Sequence, residues 1–489
     1  MGERYKRILD SVHGYIKIKE QLIDDFIDTV YFQRLRRIEQ TSTRSLFPSA
    51  RHDRFIHSLG VYHLGHMIIE SLKNTDEFAS FPINKDIVFR SYELACLLHD
   101  IGHSPFSHTF EEYFDNEDHN LSEMLEREIN NETYNKDSLA YLKEAAPHEK
   151  MSAYLCLKVF KNKIEKYKAE IELVVRMIIG CKFKDNDNKS FENAFIDLIH
   201  GEIIDADGLD YVIRDSWASG YSTNRVDTER LISSIRVHKN DDNHWMVCYS
   251  PKALNEIEAV LSVKTYQQKN VITHHTVVFE QSLLVKAMES AALYHFCIEP
   301  TENELIRQNA LEKLCNVDAY ISSVILKKHN IPLLYPEDDD FVSLMKYVRV
   351  DKYVKQWLSR QYEYVPLWKS TADFFSIFKE LHHCEYTSNC WLFSNKCKEF
   401  ISHETGVQLH DIWILSGTGI DKGIKASKVN FLIDNKIVPY RDIYSNDKNT
   451  FEPKTKPFFY IYVPKLLTEE KRKDLILKLQ EQVKERIFG

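Results

Sequence analysis

The stretch His99–His108, HDIGHSPFSH, places three imidazoles and a carboxylate around one glycine and one proline. The run before it, Leu94–Leu98, LACLL, is apolar enough to be the buried end of a helix, so His99 and Asp100 are expected at the edge of a core. Adjacent helical residues point about 100° apart, so both can reach one ion only if other elements supply further ligands. The stretch therefore predicts a metal site that other segments complete.

Two other segments carry polar side chains suited to that role. Arg54–Gly60, RFIHSLG, precedes apolar residues at helical spacing, so His57 is expected where a helix begins. In Asp205–Asp215, DADGLDYVIRD, four polar residues share one helical face at i, i+3, i+4 and i+7: Asp207, Asp210, Tyr211 and Arg214. We expect that face to look into a cleft or into solvent.

The order His57, then His99 and Asp100, then Asp207 resembles the H…HD…D signature of the HD-domain phosphohydrolases. The segments are more closely similar to those of the deoxynucleotide triphosphohydrolases, a branch with bacterial dGTPases and the vertebrate sterile-alpha-motif-and-HD-domain dNTPase. The resemblance covers roughly residues 5 to 280. It implies a mainly α fold, with an HD-domain helical core and a helical C-terminal lobe carrying a small β element. It also implies that these four residues bind the metal.

A set of two histidines and two aspartates accepts several divalent ions. Neutral imidazoles suit Fe, Zn, Mn and Ni, whereas carboxylates widen the choice toward Mg, so the identity of the ion stays open. A bound divalent ion lowers the pKa of its water and polarises a phosphoryl oxygen. The resemblance implies attack at the α-phosphorus of a dNTP, with release of a deoxynucleoside and triphosphate.

The resemblance also implies roles beyond the metal. His108, with Glu111 one turn later, matches the family's general acid and its carboxylate partner, which is usually Asp. An imidazole that titrates near neutrality is suited to protonate a leaving oxygen. His103 matches a residue that contacts the α-phosphate, and Arg54 matches a phosphate-binding arginine, a task for which its planar fork is suited.

A later histidine is also expected in the active site. Pro147–Ser152, PHEKMS, is similar to the family's later His-Glu segment, which makes His148 the candidate. His119 competes for this position because both lie in polar segments after His108. The His-Glu pair, followed by a helical pattern, favours His148.

Three residues match family positions that grip the sugar and favour a deoxyribose: Gln40, Tyr211 and Asp215. The sequence also departs from the family. The stretch Tyr-x-His-Lys-Val appears here within Ile272–Val277, ITHHTV, without the tyrosine that packs near the sugar or the lysine that helps to hold phosphate. Gly208 replaces a basic residue that usually follows the metal-binding aspartate.

A second constellation lies in Phe26–Arg36, FIDTVYFQRLR. Asp28, Gln33 and Arg36 match residues that recognise a guanine nucleotide at a subunit interface in allosterically regulated members. A carboxylate can pair with the N1 and N2 donors of guanine, and Arg can face O6 or phosphate. The alternative is an ordinary surface helix with i, i+3 charge pairs. If the match holds, we expect a homotetramer that GTP or dGTP activates.

Composition excludes several classes of protein. A chain of 489 residues with 43% hydrophobic content can bury a large core, and its net charge of −9 makes nucleic acid an unlikely partner. No apolar run approaches the ~20 residues of a membrane span, and the N-terminus lacks the features of a signal peptide. The nine cysteines form no C-x-x-C pair, so we expect reduced thiols and a cytoplasmic protein.

The chain is expected to have three parts: an N-terminal regulatory and oligomerisation segment (1–48), an HD phosphohydrolase domain (49–285, with an insertion at about 112–147) and a C-terminal helical lobe (286–489). Strands are expected at Phe431–Ile433 and Phe458–Val463, which are rich in aromatic and β-branched residues. Thr468 is expected to cap a final amphipathic helix.

Two kinds of function fit these patterns. The first is a metal-dependent dNTP triphosphohydrolase, or a related HD phosphohydrolase acting on another nucleotide. The second is a nucleotide sensor that kept the fold and the pockets but lost efficient turnover. The presence of His108 and Glu111 favours the enzyme, because a sensor has no need for a general acid.

Overall fold

The computed structural model describes residues 4–41, 46–114, 120–130, 145–201, 204–221, 226–378, 390–416, 429–443 and 458–484. These residues form mainly helices, which confirms the predicted fold class. The first eleven α-helices are α1 (Glu20–Leu22), α2 (Val30–Gln33), α3 (Arg54–Lys73), α4 (Lys85–Leu98), α5 (Leu121–Asn130), α6 (Pro147–Leu155), α7 (Lys161–Lys166), α8 (Ile171–Ile178), α9 (Asn186–Ile199), α10 (Ala206–Ser219) and α11 (Thr228–Ser234).

The remaining α-helices are α12 (Leu254–Gln267), α13 (His275–His295), α14 (Glu304–Cys315), α15 (Asp318–Ile321), α16 (Asp338–Lys346), α17 (Lys352–Ser359), α18 (Thr371–Ile377), α19 (Cys390–Thr405), α20 (Tyr440–Ile443) and α21 (Glu469–Lys484). Short 3-10 helices at Arg34–Arg37, Ser107–Thr109 and Glu111–Phe114 carry residues of the predicted sites. No helix among the described residues combines the length and the apolar composition that crossing a membrane requires.

The strands form small sheets. They are β1 (Tyr5–Asp10), β2 (Gly14–Lys19), β3 (Ile235–Lys239), β4 (Trp245–Tyr249), β5 (Val324–Leu326), β6 (Ile331–Leu333), β7 (Tyr364–Pro366), β8 (Trp413–Ser416), β9 (Asn430–Ile433), β10 (Lys436–Pro439) and β11 (Phe459–Pro464). β1 pairs with β2, and β5 with β6, as antiparallel hairpins. A four-stranded sheet has the order β10-β9-β4-β3, with β4 and β9 parallel, and an antiparallel three-stranded sheet has the order β7-β11-β8.

The chain divides into two compact units. The first comprises Met1–Lys264, Ala291–Leu344 and Ile424–Phe451, and the second comprises Thr265–Ser290, Met345–Gly423 and Glu452–Gly489. The four-stranded sheet lies in the first unit and the three-stranded sheet in the second. The three domain boundaries that the sequence suggested stay predictions.

Three helices of the first unit position the predicted metal ligands: α3, α4 and α10, with both α4 and α10 packed on α3. Asp53 caps α3 by accepting a hydrogen bond from the Ile56 N–H at 2.9 Å, which fixes where the helix begins. α4 ends in the buried run Leu94–Leu98, as the sequence predicted, so the next two residues emerge at the edge of the core. Asp205 caps α10 through the Gly208 N–H, and the helix ends at Gly220, where φ is +76°.

The strands predicted near the C-terminus are confirmed by β9 and β11. The final helix is also confirmed, because the Thr468 hydroxyl accepts a hydrogen bond from the Lys471 N–H and both Leu475 and Leu479 are buried. Of the predicted insertion, the structure describes Glu111–Phe114 and α5, but His119 lies outside the described residues.

Candidate metal centre and active site

The four predicted metal ligands come together at the meeting point of α3, α4 and α10. Nε2 of His57 lies 3.0 Å from Oδ1 of Asp207 and 3.5 Å from Oδ2 of Asp100. Nε2 of His99 lies 3.4 Å from Nε2 of His57, 3.4 Å from Oδ1 of Asp100 and 3.6 Å from Oδ1 of Asp207. Ligands bound at about 2.1 Å are separated by about 3.0 Å at right angles and about 3.4 Å in a tetrahedron. Ligand atoms of His57, His99 and Asp100 all lie within 4.8 Å of one another, and Asp207 approaches both imidazoles, so this group can hold a divalent ion.

The tautomers of both histidines are set by groups behind them. Nδ1 of His57 lies 2.7 Å from Oδ2 of Asp210, and Nδ1 of His99 lies 3.0 Å from the Cys96 carbonyl oxygen. Both acceptors hold the proton on Nδ1, so each Nε2 presents its lone pair to the centre. Asp207 is 41% exposed in its side chain, whereas the two histidines are buried, so the centre opens on the Asp207 side.

Asp210 joins three side chains in a buried hydrogen-bond network behind the metal centre. Its carboxylate accepts two hydrogen bonds from Arg214, at 2.8 and 2.9 Å, and lies 2.6 Å from Nε2 of His13 in the β1–β2 turn. Arg214 in turn donates to both carboxylate oxygens of Asp10, at 3.0 and 2.7 Å. The expectation that this face of α10 looks into a cleft or solvent is wrong for Asp210 and Arg214, because the N-terminal hairpin covers them.

The charges of the centre favour a cation. Burial opposes a charge on His57, but hydrogen bonds to Asp207 and Asp210 outweigh it and raise the pKa of His57 to about 10. The pKa of His99 is also raised, against burial, by Asp100 and Asp207. Burial would raise the pKa of Asp100, but Arg54 and the neighbouring histidines hold it well below its usual range. At the metal centre the nearby carboxylates thus stabilise positive charge more than burial destabilises it.

A second cluster, His103, His108, Glu111 and His148, adjoins the metal centre. Glu111 joins two imidazoles, with Oε1 2.9 Å from Nδ1 of His108 and Oε2 2.5 Å from Nδ1 of His148. The ring of His148 stacks on His103 with 4.0 Å between centroids. Burial opposes ionisation of Glu111, but the two histidines hold its pKa well below the usual range. Burial, Arg54 and His148 lower the pKa of His103, so it is neutral near neutral pH.

The loop between His99 and His108 has an unusual backbone held by distant residues. Phe106 and Ser107 have φ of +55° and +54°, a left-handed conformation that costs a non-glycine residue free energy. The Phe106 N–H donates to Oδ1 of Asp338 at 2.6 Å. The buried guanidinium of Arg34 donates to the carbonyl oxygens of Ile101 and His103. These bonds fix the directions of His103 and His108.

Gly102 brings α6 close to this loop. Its N–H donates to Oγ of Ser152 at 2.9 Å, and a Cβ at Gly102 would lie 2.4 Å from the Ser152 backbone nitrogen. Only glycine permits this approach. The approach carries His148, at the start of α6, onto the ring of His103, so the predicted later histidine reaches the cluster.

Arg54 connects the two clusters. The Nη1 atom of Arg54 donates to Oδ2 of Asp100 at 2.7 Å, and its Nη2 atom lies 3.4 Å from Nε2 of His108. Its remaining contacts are with Oγ of Ser107, at 2.9 Å, and the carbonyl oxygen of Gln40, at 3.4 Å. The guanidinium is thus fixed between the metal centre and the predicted general acid.

Two of the predicted sugar-binding residues are linked by His52, which sequence reasoning missed. Nε2 of His52 lies 2.7 Å from Oδ1 of Asp215, and its backbone carbonyl accepts a hydrogen bond from the Gln40 N–H at 3.0 Å. Oε1 of Gln40 is buried and has no hydrogen-bond partner among the described residues. A buried acceptor of this kind is suited to a ligand hydroxyl.

Tyr211, the third predicted sugar residue, is half-buried beside Lys264 of α12. The ammonium of Lys264 lies 5.3 Å from the centroid of the Tyr211 ring. Burial opposes its charge, but Tyr211 and Asp205 raise the pKa of Lys264 overall, and Asp207 contributes in the same direction. Burial raises the pKa of Tyr211 to about 12. The Lys264 ammonium therefore supplies a positive charge in this region, where Gly208 replaces the basic residue expected from the resemblance.

Two of the three residues of the predicted guanine site contact each other in the structure. Nε of Arg36 donates to Oε1 of Gln33 at 2.9 Å, and its guanidinium lies 3.4 Å from the centroid of the Phe55 ring. The amide of Gln33 donates to the Ile27 carbonyl oxygen. Asp28 is exposed at the end of the preceding π-helical turn. Gln33 and Arg36 are therefore together, and Asp28 lies on the surface of the same segment.

Sequence reasoning missed the second layer of the site, by which we mean the residues that contact the predicted ligands and substrate-binding groups from behind. His13, His52 and Lys264 lie in segments with no recognised motif, and the sequence predicts Asp210 only as part of a polar helical face. The i+3 spacing of Asp210 from Asp207, next to a histidine-rich signature, was a signal for a carboxylate behind a ligand. Nothing in the sequence placed the hairpin histidine against it.

Comparisons with known proteins identify a matching family model and related chains. A family model described as HD domain matches residues 54–189, a span that contains the first three metal ligands and ends before Asp207. The chain is 29% identical over 343 residues to an uncharacterized protein of Bacillus subtilis, YwfO, covering 63% of this chain and 69% of that protein.

Two further proteins extend the comparison. A Dictyostelium discoideum protein named as a SAMHD1 homolog, a deoxynucleoside triphosphate triphosphohydrolase, is 30% identical over 274 residues, which cover 55% of this chain and 46% of that protein. The chain thus spans less than half the length of this relative. The crystal structure of a phosphohydrolase from Bacteroides thetaiotaomicron has a TM-score of 0.62 at 20% identity, and the match covers 94% of this chain and 100% of that one. It shows a shared fold.

Proposed function

The chain contains an HD domain, and from that premise we propose that it is a metal-dependent dNTP triphosphohydrolase, which converts a dNTP and water into a deoxynucleoside and triphosphate. His57, His99, Asp100 and Asp207 would hold the divalent ion. When bound, the ion would act as a Lewis acid that polarises a phosphoryl oxygen, and it would lower the pKa of water so that hydroxide is available near neutral pH.

The observation that carries the proposal is the placement of Arg54 between two clusters. Its guanidinium bonds to the ligand Asp100 at 2.7 Å and lies 3.4 Å from Nε2 of His108. A phosphate ester at the metal centre would therefore meet a planar cation and an imidazole together. A cation that neutralises phosphate beside a proton donor is an arrangement for cleaving a phosphate ester.

His108 would act as the general acid. Glu111 accepts a hydrogen bond from its Nδ1, which directs Nε2 toward Arg54 and the position of a leaving oxygen. The His108 side chain is 62% exposed, so its proton can exchange with solvent between turnovers. His148 shares Glu111 and stacks on His103, so both rings would line the phosphate side of the site.

The sugar would lie against Gln40 and Asp215. The partnerless Oε1 of Gln40 can accept a hydrogen bond from a 3′-hydroxyl, and His52 occupies one oxygen of Asp215 and leaves the other for the sugar. Tyr211 would pack on the ring face. Lys264, beside Tyr211, would contribute the phosphate contact that the missing family lysine does not supply here.

The test is product analysis by chromatography. Purified protein with Mn²⁺ or Mg²⁺ is incubated with each dNTP, with and without GTP or dGTP, and we expect a deoxynucleoside and triphosphate. Asp207→Ala should abolish release, and His108→Gln should slow it about 10²–10⁴-fold. Asp187→Ala is the matched control, because Asp187 pairs with His244 at the surface, 87% exposed. Turnover that survives in Asp207→Ala would refute the assigned centre.

We further propose that Asp28, Gln33 and Arg36 bind GTP or dGTP at an interface of a cytoplasmic homotetramer. The exposed carboxylate of Asp28 suits the donor edge of guanine. Asp28→Asn should remove activation by GTP, whereas Asp24→Asn, at an exposed aspartate on the same segment, should not. If no dNTP is turned over under any activator but dNTPs bind tightly, the chain is a nucleotide sensor. If only another nucleotide is cleaved, the chain is an HD phosphohydrolase of different specificity.

A further inference from the structure

The turn between β1 and β2 carries a histidine onto the carboxylate behind the metal centre. Nε2 of His13 lies 2.6 Å from Oδ1 of Asp210, and the side chains of these two residues are 7% and 0% exposed. The other carboxylate oxygen of Asp210 lies 2.7 Å from Nδ1 of His57. A residue at the tip of the N-terminal hairpin is thus separated from a predicted metal ligand by a single carboxylate.

The sequence of the turn fixes the position of His13. The carboxylate of Asp10 accepts a hydrogen bond from the Val12 N–H at 3.1 Å, and it also accepts two hydrogen bonds from Arg214 of α10. Gly14 follows the histidine with φ of +73°, a left-handed conformation that lets the chain reverse into β2. One aspartate therefore both shapes the turn and attaches it to α10.

One face of the hairpin packs on the rest of its unit, and the other face is exposed. Ile16 and Ile18 are fully buried, whereas Leu9 and Tyr15, a cross-strand pair on the opposite face, are 67% and 66% exposed. A two-stranded hairpin is marginally stable by itself, so its attachment depends on the buried face and on the contacts of the turn. Such an element can open locally while the helical core stays folded.

We propose that His13 is a positioning residue of the metal centre, so that attachment of the hairpin turn and binding of the divalent ion strengthen each other. His13 and Arg214 together donate to both oxygens of Asp210, and the carboxylate held in this way keeps the proton of His57 on Nδ1 and its Nε2 free for the ion. Without His13 the carboxylate has one partner fewer and more freedom to turn. The inference rests on the metal centre of the proposed function but not on the identity of the substrate.

The first test compares two variants at one position. His13→Ala removes the donor, whereas in His13→Gln the side-chain amide can place an N–H where Nε2 of the imidazole lies. Calorimetric titration of the metal-stripped full chain with Mn²⁺ should show about three- to tenfold weaker binding in His13→Ala, because one hydrogen bond is lost one step away from the ligand. Binding in His13→Gln should stay close to that of the wild type. A general loss of packing would not separate the two variants in this way.

The matched control is His66→Ala on α3. Nδ1 of His66 lies 2.8 Å from Oε1 of the buried Glu93, so this variant also breaks a contact between an imidazole and a buried carboxylate. Among the described residues Glu93 contacts Lys19 and Tyr167 rather than a predicted metal ligand. The affinity of His66→Ala for Mn²⁺ should therefore equal that of the wild type.

A second measurement needs no substitution. Coupling between two events is reciprocal, so an ion that binds more tightly when the turn is attached must also hold the turn in place more firmly. Hydrogen exchange of the metal-stripped wild type, followed by mass spectrometry, should show that Mn²⁺ slows exchange of the β1–β2 amides about threefold or more. The slowing should be smaller in His13→Ala.

Three results would overturn the proposal: equal Mn²⁺ affinity in the wild type and His13→Ala, equal loss of affinity in His13→Ala and His13→Gln, or hairpin exchange that the ion leaves unchanged. If His13→Ala does not fold, the exchange of the wild type decides. If affinity falls as expected but no dNTP is hydrolysed under any condition, the positioning role stands and the proposed function fails. If dNTPs are hydrolysed and His13→Ala binds Mn²⁺ as the wild type does, the positioning role alone fails.

Discussion

Gly60 in α3 is expected to support metal binding although it is not a metal ligand. A Cβ at this position would lie 2.0 Å from Oδ1 of Asp210 and 2.5 Å from NH2 of Arg214. Ordinary contact begins at 3.4 Å, so in Gly60→Ala the carboxylate must move by about 1.4 Å. Because Oδ1 and Oδ2 belong to one rigid carboxylate, this displacement also disturbs the 2.7 Å contact between Oδ2 and Nδ1 of His57.

The size of the effect follows from the role of Asp210. Loss of the carboxylate behind a metal-binding histidine costs about 10–100-fold in metal affinity, or about 1.4–2.8 kcal/mol. Overpacking costs about 1–3 kcal/mol of stability. The higher helix propensity of alanine returns about 1 kcal/mol. The variant should therefore stay folded at moderate temperature while it loses metal.

Gly65→Ala is the matched control on the same helix. A Cβ there would lie 2.7 Å from Sγ of Cys96, so it perturbs packing on the same helix, but it contacts the Cys96 side chain and not the carbonyl oxygen that lies 3.0 Å from Nδ1 of His99. Calorimetric titration of the metal-stripped proteins with Mn²⁺ measures affinity, and urea unfolding measures stability. Weakened binding in Gly60→Ala but not in Gly65→Ala is the expected result. Equal affinity in both would refute the role assigned to Asp210.

Three further changes test other parts of the site. His52→Gln frees Asp215 and should reduce discrimination between a dNTP and its 3′-deoxy analogue about tenfold, the value of one hydrogen bond, as measured by the ratio of their kcat/KM values. Lys264→Gln should raise the KM for dNTPs about tenfold with little change in kcat, and an unchanged KM would contradict its phosphate role. Asp10→Asn breaks the buried pair with Arg214 and should cost about 3–5 kcal/mol near neutral pH. Burial opposes ionisation of Asp10, but Arg214 lowers its pKa, so its stabilising effect is complete above the unfolded pKa of about 3.9 and is lost as pH falls. Urea unfolding should show wild type and Asp10→Asn converging in acid.

Much of the site could be predicted because its ligands lie in short segments with strong local patterns. His99 and Asp100 follow an apolar run that had to end a buried helix, and Asp207 follows a capping aspartate. Such patterns depend on helix geometry and burial within a few residues, so they can be interpreted before any tertiary contact is known. The three-residue spacing of His108 and Glu111 is another local pattern of this kind.

The second layer could not be predicted because its contacts join residues far apart in the chain. His13 lies 197 positions from Asp210, and Asp10 lies 204 positions from Arg214. No periodicity in either segment encodes which partner it meets. The wrong expectation for the polar face of α10 has the same cause, since the hairpin that covers it lies about 200 residues earlier in the chain.

By itself the amino-acid sequence determined that the chain is mainly helical and which residue types could hold a divalent ion. It did so because helical periodicity, capping and ligand chemistry are local properties. Only the tertiary structure decided that the four ligand residues converge, with Nε2 of His57 and Nε2 of His99 3.4 Å apart and each 3.0–3.6 Å from oxygens of Asp100 and Asp207. It also decided which tautomer each histidine takes and that Lys264 lies beside Tyr211. These outcomes depend on long-range packing, which brings donors and acceptors into register only when the helices close on one core.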